Sequence, residues 1–148
     1  MRKYYDNALT LMSNDPTDYA GAFALLSKAV DAGDARALYA MATWYLHGTH
    51  VEKDIKKGTA MLKSAANANV ADALFDLAVS YETGVGVVRS EKKAAQHYLR
   101  AAFAGDVSAF RSVGRCLYYG IGFVKDRVQA TIWLEKARKL NQLDGVSA

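Results

Sequence analysis

The sequence predicts an all-α protein, an α-solenoid of about four helix-turn-helix repeats, and three observations carry that prediction. Apolar and small residues recur in register every 36 positions. Ala37 to Ala68 lies over Ala73 to Ala104 and Ala109 to Leu140 without a gap, aligning Met41/Leu77/Val113, Ala42/Ala78/Gly114 and Ala65/Ala101/Ala137. A glycine holds a fixed place in each period, at Gly48, Gly84 and Gly120. The apolar fraction of 51%, with a single Pro among 148 residues, suits helices throughout. A unit of this length cannot bury its apolar face alone, so neighbours must stack, which gives a curved surface for holding another macromolecule.

Taken in chain order, the first helix runs from Met1 to about Ser13, and Asn14-Asp15-Pro16-Thr17 supplies a proline-initiated turn in place of the glycine turn. The second helix follows from register: Ala22, Leu26, Ala29 and Gly33 precede Gly58, Leu62, Ala65 and Asn69 by one period. In the later repeats a first helix is marked by one apolar stripe, as in Ala73, Leu77, Ala78 and Tyr81, and ends where Gly84 provides a left-handed conformation. Val51, Val87 and Phe123 are apolar within polar loops and plug the hairpin junction. Asp54, Ser90 and Asp126 stand where an N-cap is needed, opening second helices that reach about Ala68, Ala104 and Leu140. The repeats therefore span about 1–33, 34–69, 70–105 and 106–140 of one domain, with 141–148 as a tail. A larger residue at Ala42, Ala78 or Gly114 is expected to overpack the helix contacts.

The formal charge of +4 is modest, and basic residues alternate with acidic ones instead of forming a block of like charge, a balance that implies solubility rather than a polyanion partner. Cys116 is the only cysteine, so no internal disulfide forms and a reducing compartment fits. Met1-Arg2-Lys3 is followed by Tyr4-Tyr5-Asp6-Asn7, which interrupts any signal-peptide core, and no stretch of membrane-spanning length is apolar. The expected location is cytoplasmic, or periplasmic where a signal peptide has been removed.

The repeat resembles the Sel-one-like repeat family, relatives of the tetratricopeptide repeat, over about three units. The third repeat supplies Ala73, Leu77, Ala78, Tyr81, Gly84, Gly86, Val87, Lys93, Ala94, Tyr98, Ala101 and Gly105; the last supplies Gly114, Gly120, Gly122, Asp126, Ala130, Trp133, Lys136 and Ala137. His50 stands in place of the second turn glycine, Leu117 in place of a tyrosine and Ser90 in place of an aspartate. The resemblance implies a right-handed superhelix that serves as a non-enzymatic adaptor or scaffold, many examples being bacterial, with another protein or peptide as partner. The chain's small size and solubility add the expectation of an inhibitor, an immunity-type protein that neutralises a cognate toxin. The alternative is a small-molecule binder or hydrolase like the cysteine-rich relatives linked to β-lactams, but those carry a disulfide in each repeat and this chain has Cys116 alone.

By analogy with the tetratricopeptide superhelix, first helices line the concave face, and the residues between their core positions form a groove. The candidates are Tyr39, Thr43, Leu46 and His47, then Phe75, Val79 and Glu82, then Arg111, Arg115, Tyr118 and Tyr119. Aromatic and arginine side chains anchor many protein interfaces, and a partner with acidic and apolar character suits this set. Arg111 and Arg115, four apart on one helix, could share an anionic group. Trp44 and Trp133 read as packing residues, and Cys116 as a buried thiol, although the adjacent Arg115 would favour its thiolate. His47, His50 and Glu52 do not make a metal-ligand set, and no catalytic or cofactor motif occurs: Gly84-Val85-Gly86 is a repeat turn. The lysines and arginines of the second helices read as a solvated outer face, so no nucleic acid partner is expected.

Overall fold

Capping side chains and left-handed glycines set the helix bounds. The computed structural model describes residues 2–14 and 16–143. Among the described residues eight α-helices follow one another: α1 (Arg2–Met12), α2 (Tyr19–Asp31), α3 (Ala35–His47), α4 (Ile55–Asn67), α5 (Ala71–Thr83), α6 (Glu91–Phe103), α7 (Val107–Tyr119) and α8 (Arg127–Leu143). No strand occurs among the described residues. Successive pairs form hairpins, and the expected caps are in place: Asp54 accepts from the Lys57 amide, Ser90 from Lys93 and Asp126 from Gln129. Asp18, Asp34 and Asp106 cap α2, α3 and α7 in the same manner, which the repeat pattern alone did not reveal. The helix α8 runs to Leu143, past the expected end at Leu140. The expected tail beyond it, with Met1 and Asp15, lies outside the described residues.

One backbone bond recurs at the same place in all three glycine turns. The amides of Asp54, Ser90 and Asp126 each donate at 2.8 Å to the carbonyls of Tyr45, Tyr81 and Leu117. The bond is made by backbone, so Leu117 in place of a tyrosine leaves it intact. Gly48, Gly84 and Gly120 have φ between 72° and 77°, and Gly86 and Gly122 adopt the same sign. At the equivalent position His50 is also left-handed, with φ 62°.

The chain divides into two compact units, Met1–Val70 and Ala71–Ala148, within the array expected as one domain. In the first, α1 packs on α2, α2 on α3 and α3 on α4. Its core is Ala8, Ala22, Leu26, Ala29, Ala37, Met41 and Trp44, with half-buried Val51 closing the α3–α4 junction. Trp44 meets Phe23 at 5.9 Å, and His50 lies 5.6 Å from Phe23 and 6.5 Å from Tyr19. In the second, α6 joins the α5 and α7 contacts and α7 packs on α8. Alanines dominate there: Ala73, Ala78, Ala94, Ala101, Ala109 and Ala130 have no exposed surface, around buried Leu74, Leu77 and Val113. Small residues let helices approach closely. A Cβ added at Gly114 would lie 2.7 Å from the Leu134 side chain, and one at Gly58 would lie 2.7 Å from Leu46.

Candidate functional site

The candidate side chains sit on α3 in the first unit and on α5 and α7 in the second, each helix held by its hairpin partner. On α3, Tyr39, Thr43 and Leu46 are half-buried and His47 is exposed. Thr43 donates to the Ala40 carbonyl at 2.7 Å, and His47 Nδ1 lies 2.9 Å from the Thr43 carbonyl, so both polar groups are tied to their own helix. Leu46 fills the space over Gly58 and belongs to the α3–α4 contact. Only His47 of this set stands clear in solvent.

In the second unit the structure separates candidates that the sequence grouped. Arg115 donates Nη1 to Glu82 Oε2 at 2.8 Å and Nη2 to Oε1 at 3.0 Å, a two-pronged pair linking α7 to α5. Tyr98 of α6 adds its hydroxyl to Oε1 at 2.8 Å, and Phe75 packs edge-on against the Tyr98 ring at 5.4 Å. Hydrogen bonding by Arg115 holds the Glu82 carboxyl below its usual range, against the cost of burial. Burial and the Glu82 bond push the Tyr98 hydroxyl up. Glu82 and Arg115 thus neutralise one another, while Arg111, one turn back on α7, is exposed and makes no hydrogen bond or ion pair among the described residues. The expected sharing of one anion by Arg111 and Arg115 therefore starts from an arginine that already holds a carboxylate.

Phe75, Arg111 and Arg115 meet at a cavity of about 370 Å³ that is also lined by Ser108, Ser112 and Asn141, with Val107 and Ala137 as apolar wall. Farther along the unit, Val79 is 38% exposed and Tyr119 is 65% exposed, the two open apolar surfaces of the set. Tyr118 is held between the Tyr119 ring at 4.9 Å and the Arg127 guanidinium at 4.5 Å.

The remaining chemistry-bearing groups are packed or local. Cys116 is fully buried and burial pushes its thiol up to about 11, outweighing Arg115, whose charge Glu82 already offsets. Trp44 is 5% exposed, and Trp133 lies 5.4 Å from Phe110 and 6.2 Å from Phe103, so both tryptophans pack as expected. His97 is half-buried against Tyr81, and burial lowers its pKa. No group of three or more His, Cys, Asp or Glu side chains among the described residues is placed to hold a metal ion. No described helix is long and apolar enough to cross a membrane.

Helical hairpins that recur at a fixed period, share the same turn bond and carry an alanine core define a helical repeat protein of the α-solenoid class. The chain belongs to the Sel1 repeat family: the family profile matches residues 14–34, 35–70, 71–106 and 111–142. A Sel1 repeat protein from Oxalobacter formigenes is 35% identical, with 78% of this chain and 86% of that one covered and a TM-score of 0.74. The protective antigen c5321 of uropathogenic Escherichia coli strains, which displays an SLR fold, is 25% identical with a TM-score of 0.86. It covers 96% of this chain, which spans only 32% of its length. Cysteine-rich protein B of Helicobacter pylori is 26% identical over 73% of this chain and 87% of that one, with a TM-score of 0.64. No protein with a curated description matches the sequence. Sel1 repeat proteins are helical protein-interaction modules.

Proposed function

We propose that this chain is a non-enzymatic adaptor or inhibitor that binds another protein through the exposed faces of its first helices, α3 in the first unit and α5 and α7 in the second. The observation that carries the reading is the second unit's combination of an arginine without an internal partner, a cavity walled by Phe75, and the exposed apolar surfaces of Val79 and Tyr119. Arginine and aromatic groups beside a pocket are the usual anchors of an interface, each contributing about 2 kcal/mol or more once desolvated. The small-molecule alternative drew on disulfide-bearing relatives; here the single cysteine is buried with a raised pKa, unsuited to nucleophilic work.

Affinity capture from native cell extract tests the proposal, comparing the parent with a variant carrying His47→Ala, Val79→Ala, Arg111→Ala and Tyr119→Ala. These side chains are exposed, so helicity and melting point are expected to stay near the parent's. A partner retained by the parent and lost from the variant supports the proposal. Equal retention, or no partner for the parent, counts against it. A toxin among the retained proteins would make the module an immunity-type inhibitor; a partner left active would make it an adaptor.

A further inference from the structure

The cavity beside α7 carries a charge imbalance of one sign. Among the described residues its polar lining consists of Arg111, Arg115, Ser108, Ser112 and Asn141, with no carboxylate. Asp106, next to Val107, is committed to capping α7 through the Ala109 amide. Arg115 is neutralised by both oxygens of Glu82, which leaves the Arg111 guanidinium as the one uncompensated charge among the described lining residues. The hydroxyls of Ser108 and Ser112 make no hydrogen bond among the described residues, so each is free to donate into the cavity. Ser108, Arg111, Ser112 and Arg115 share one face because they follow the three- and four-residue spacing of a helix. Phe75, Val107 and Ala137 supply an apolar wall on the other side.

We propose that this cavity is an anchor subsite for a single side-chain carboxylate, an aspartate or glutamate of a peptide partner whose neighbouring apolar residue lies on Phe75. The subsite rests on the protein-binding reading above and names the chemistry of its ligand. A planar carboxylate matches the guanidinium fork, and the serine hydroxyls and the Asn141 amide complete its hydrogen bonding. The count of charges selects the monoanion. One free guanidinium balances a carboxylate, whereas a phosphorylated side chain, with nearly two negative charges, would keep an unpaired charge where the described lining holds no second free cation. The volume of about 370 Å³ is that of a pocket for one or two side chains, at the lower end of ligand-binding cavities.

An array of degenerate acetylated, amidated peptides, probed with the full chain, tests the subsite. The expected result is an enrichment of Asp or Glu at one position beside an apolar residue. Replacing that residue by Asn or Gln, or making Arg111→Gln in the protein, is expected to weaken binding about tenfold, the scale of a hydrogen bond to a charged group. Arg111 is exposed, so its replacement leaves the fold in place. Ser108→Ala together with Ser112→Ala gives a second route, with a smaller loss confined to acidic peptides. Peptides bound without acidic preference, or bound equally by the Arg111→Gln protein, overturn the subsite while leaving the interaction reading standing. Preference for phosphoserine over glutamate overturns the monoanion assignment. No retained peptide at all overturns the subsite, while the capture experiment decides separately whether a folded protein is bound.

Discussion

Glu82 shows how one side chain can leave a binding face and become structural. Its carboxylate satisfies both prongs of Arg115 and the Tyr98 hydroxyl, joining three helices. Glu82→Gln removes the negative charge and keeps one acceptor oxygen while setting an amide donor against a donor, so it is expected to cost about 1–2 kcal/mol, a figure reduced because Arg115 remains partly in solvent. The pH dependence follows from its lowered pKa. A depressed carboxyl stabilises the fold fully above its unfolded value of about 4.3 and loses that contribution as pH falls through the lower folded value. The melting-point gap between parent and Glu82→Gln is therefore expected to be widest near neutrality and to narrow below about pH 4; a gap constant down to strong acid would show that the pair is not the cause. Sequence reading placed Glu82 and Arg115 on first helices, as the structure does, but their pairing was not legible. The two residues lie on different hairpins, and whether their side chains meet depends on how closely α5, α6 and α7 approach.

At the scale of elements, the helices and turns were legible because each is written locally: the stripe, the left-handed glycine, the capping oxygen. What differed between repeats was legible only as linked departures from the period. Tyr19, Phe23, Trp44 and His50 in the first unit stand two periods before Glu91, Ala95, Cys116 and Gly122 in the second. The first set is an aromatic cluster; at the second, a Cβ on Gly122 would collide with the Glu91 carbonyl oxygen and lie 2.8 Å from the Ala95 methyl. One junction is filled by rings and the other by backbone, so His50 can occupy a glycine's place only where its neighbours' sizes and positions allow it. The cluster offsets a left-handed non-glycine conformation that costs about 1–2 kcal/mol. Gly122→Ala is expected to cost about 3 kcal/mol or more, from strain and collision together. Gly33→Ala, also at positive φ but facing open space, should cost about 1 kcal/mol. Urea unfolding of the two variants measures the difference, and equal midpoints would remove the close-approach account of the turn. On α8, the positions one period after Ala95 and Ala102 are Thr131 and Arg138, both exposed, with Arg138 paired to Glu135. That helix thus presents polar groups where α6 presents buried methyls.

For the whole molecule, the class of function was more legible than the site. Periodicity established repeats that must stack, and stacking repeats expose helix faces for recognition. Which face residues are free was a matter of packing: Leu46 closes over Gly58, Glu82 takes Arg115, Tyr118 sits between Tyr119 and Arg127, and His47, Val79, Arg111 and Tyr119 stay open. In each unit, the exposed first-helix residues are the proposed contact with the partner. Hydroxyl-radical footprinting of the chain, alone and in the complex recovered by capture, tests it most directly. Binding is predicted to protect His47, Val79, Arg111 and Tyr119 several-fold while leaving Phe103 and Val88 on other parts of the molecule, 78% and 89% exposed, labelled as before. Protection of Phe103 and Val88 with His47, Val79, Arg111 and Tyr119 still open would contradict the account and move recognition away from the first helices.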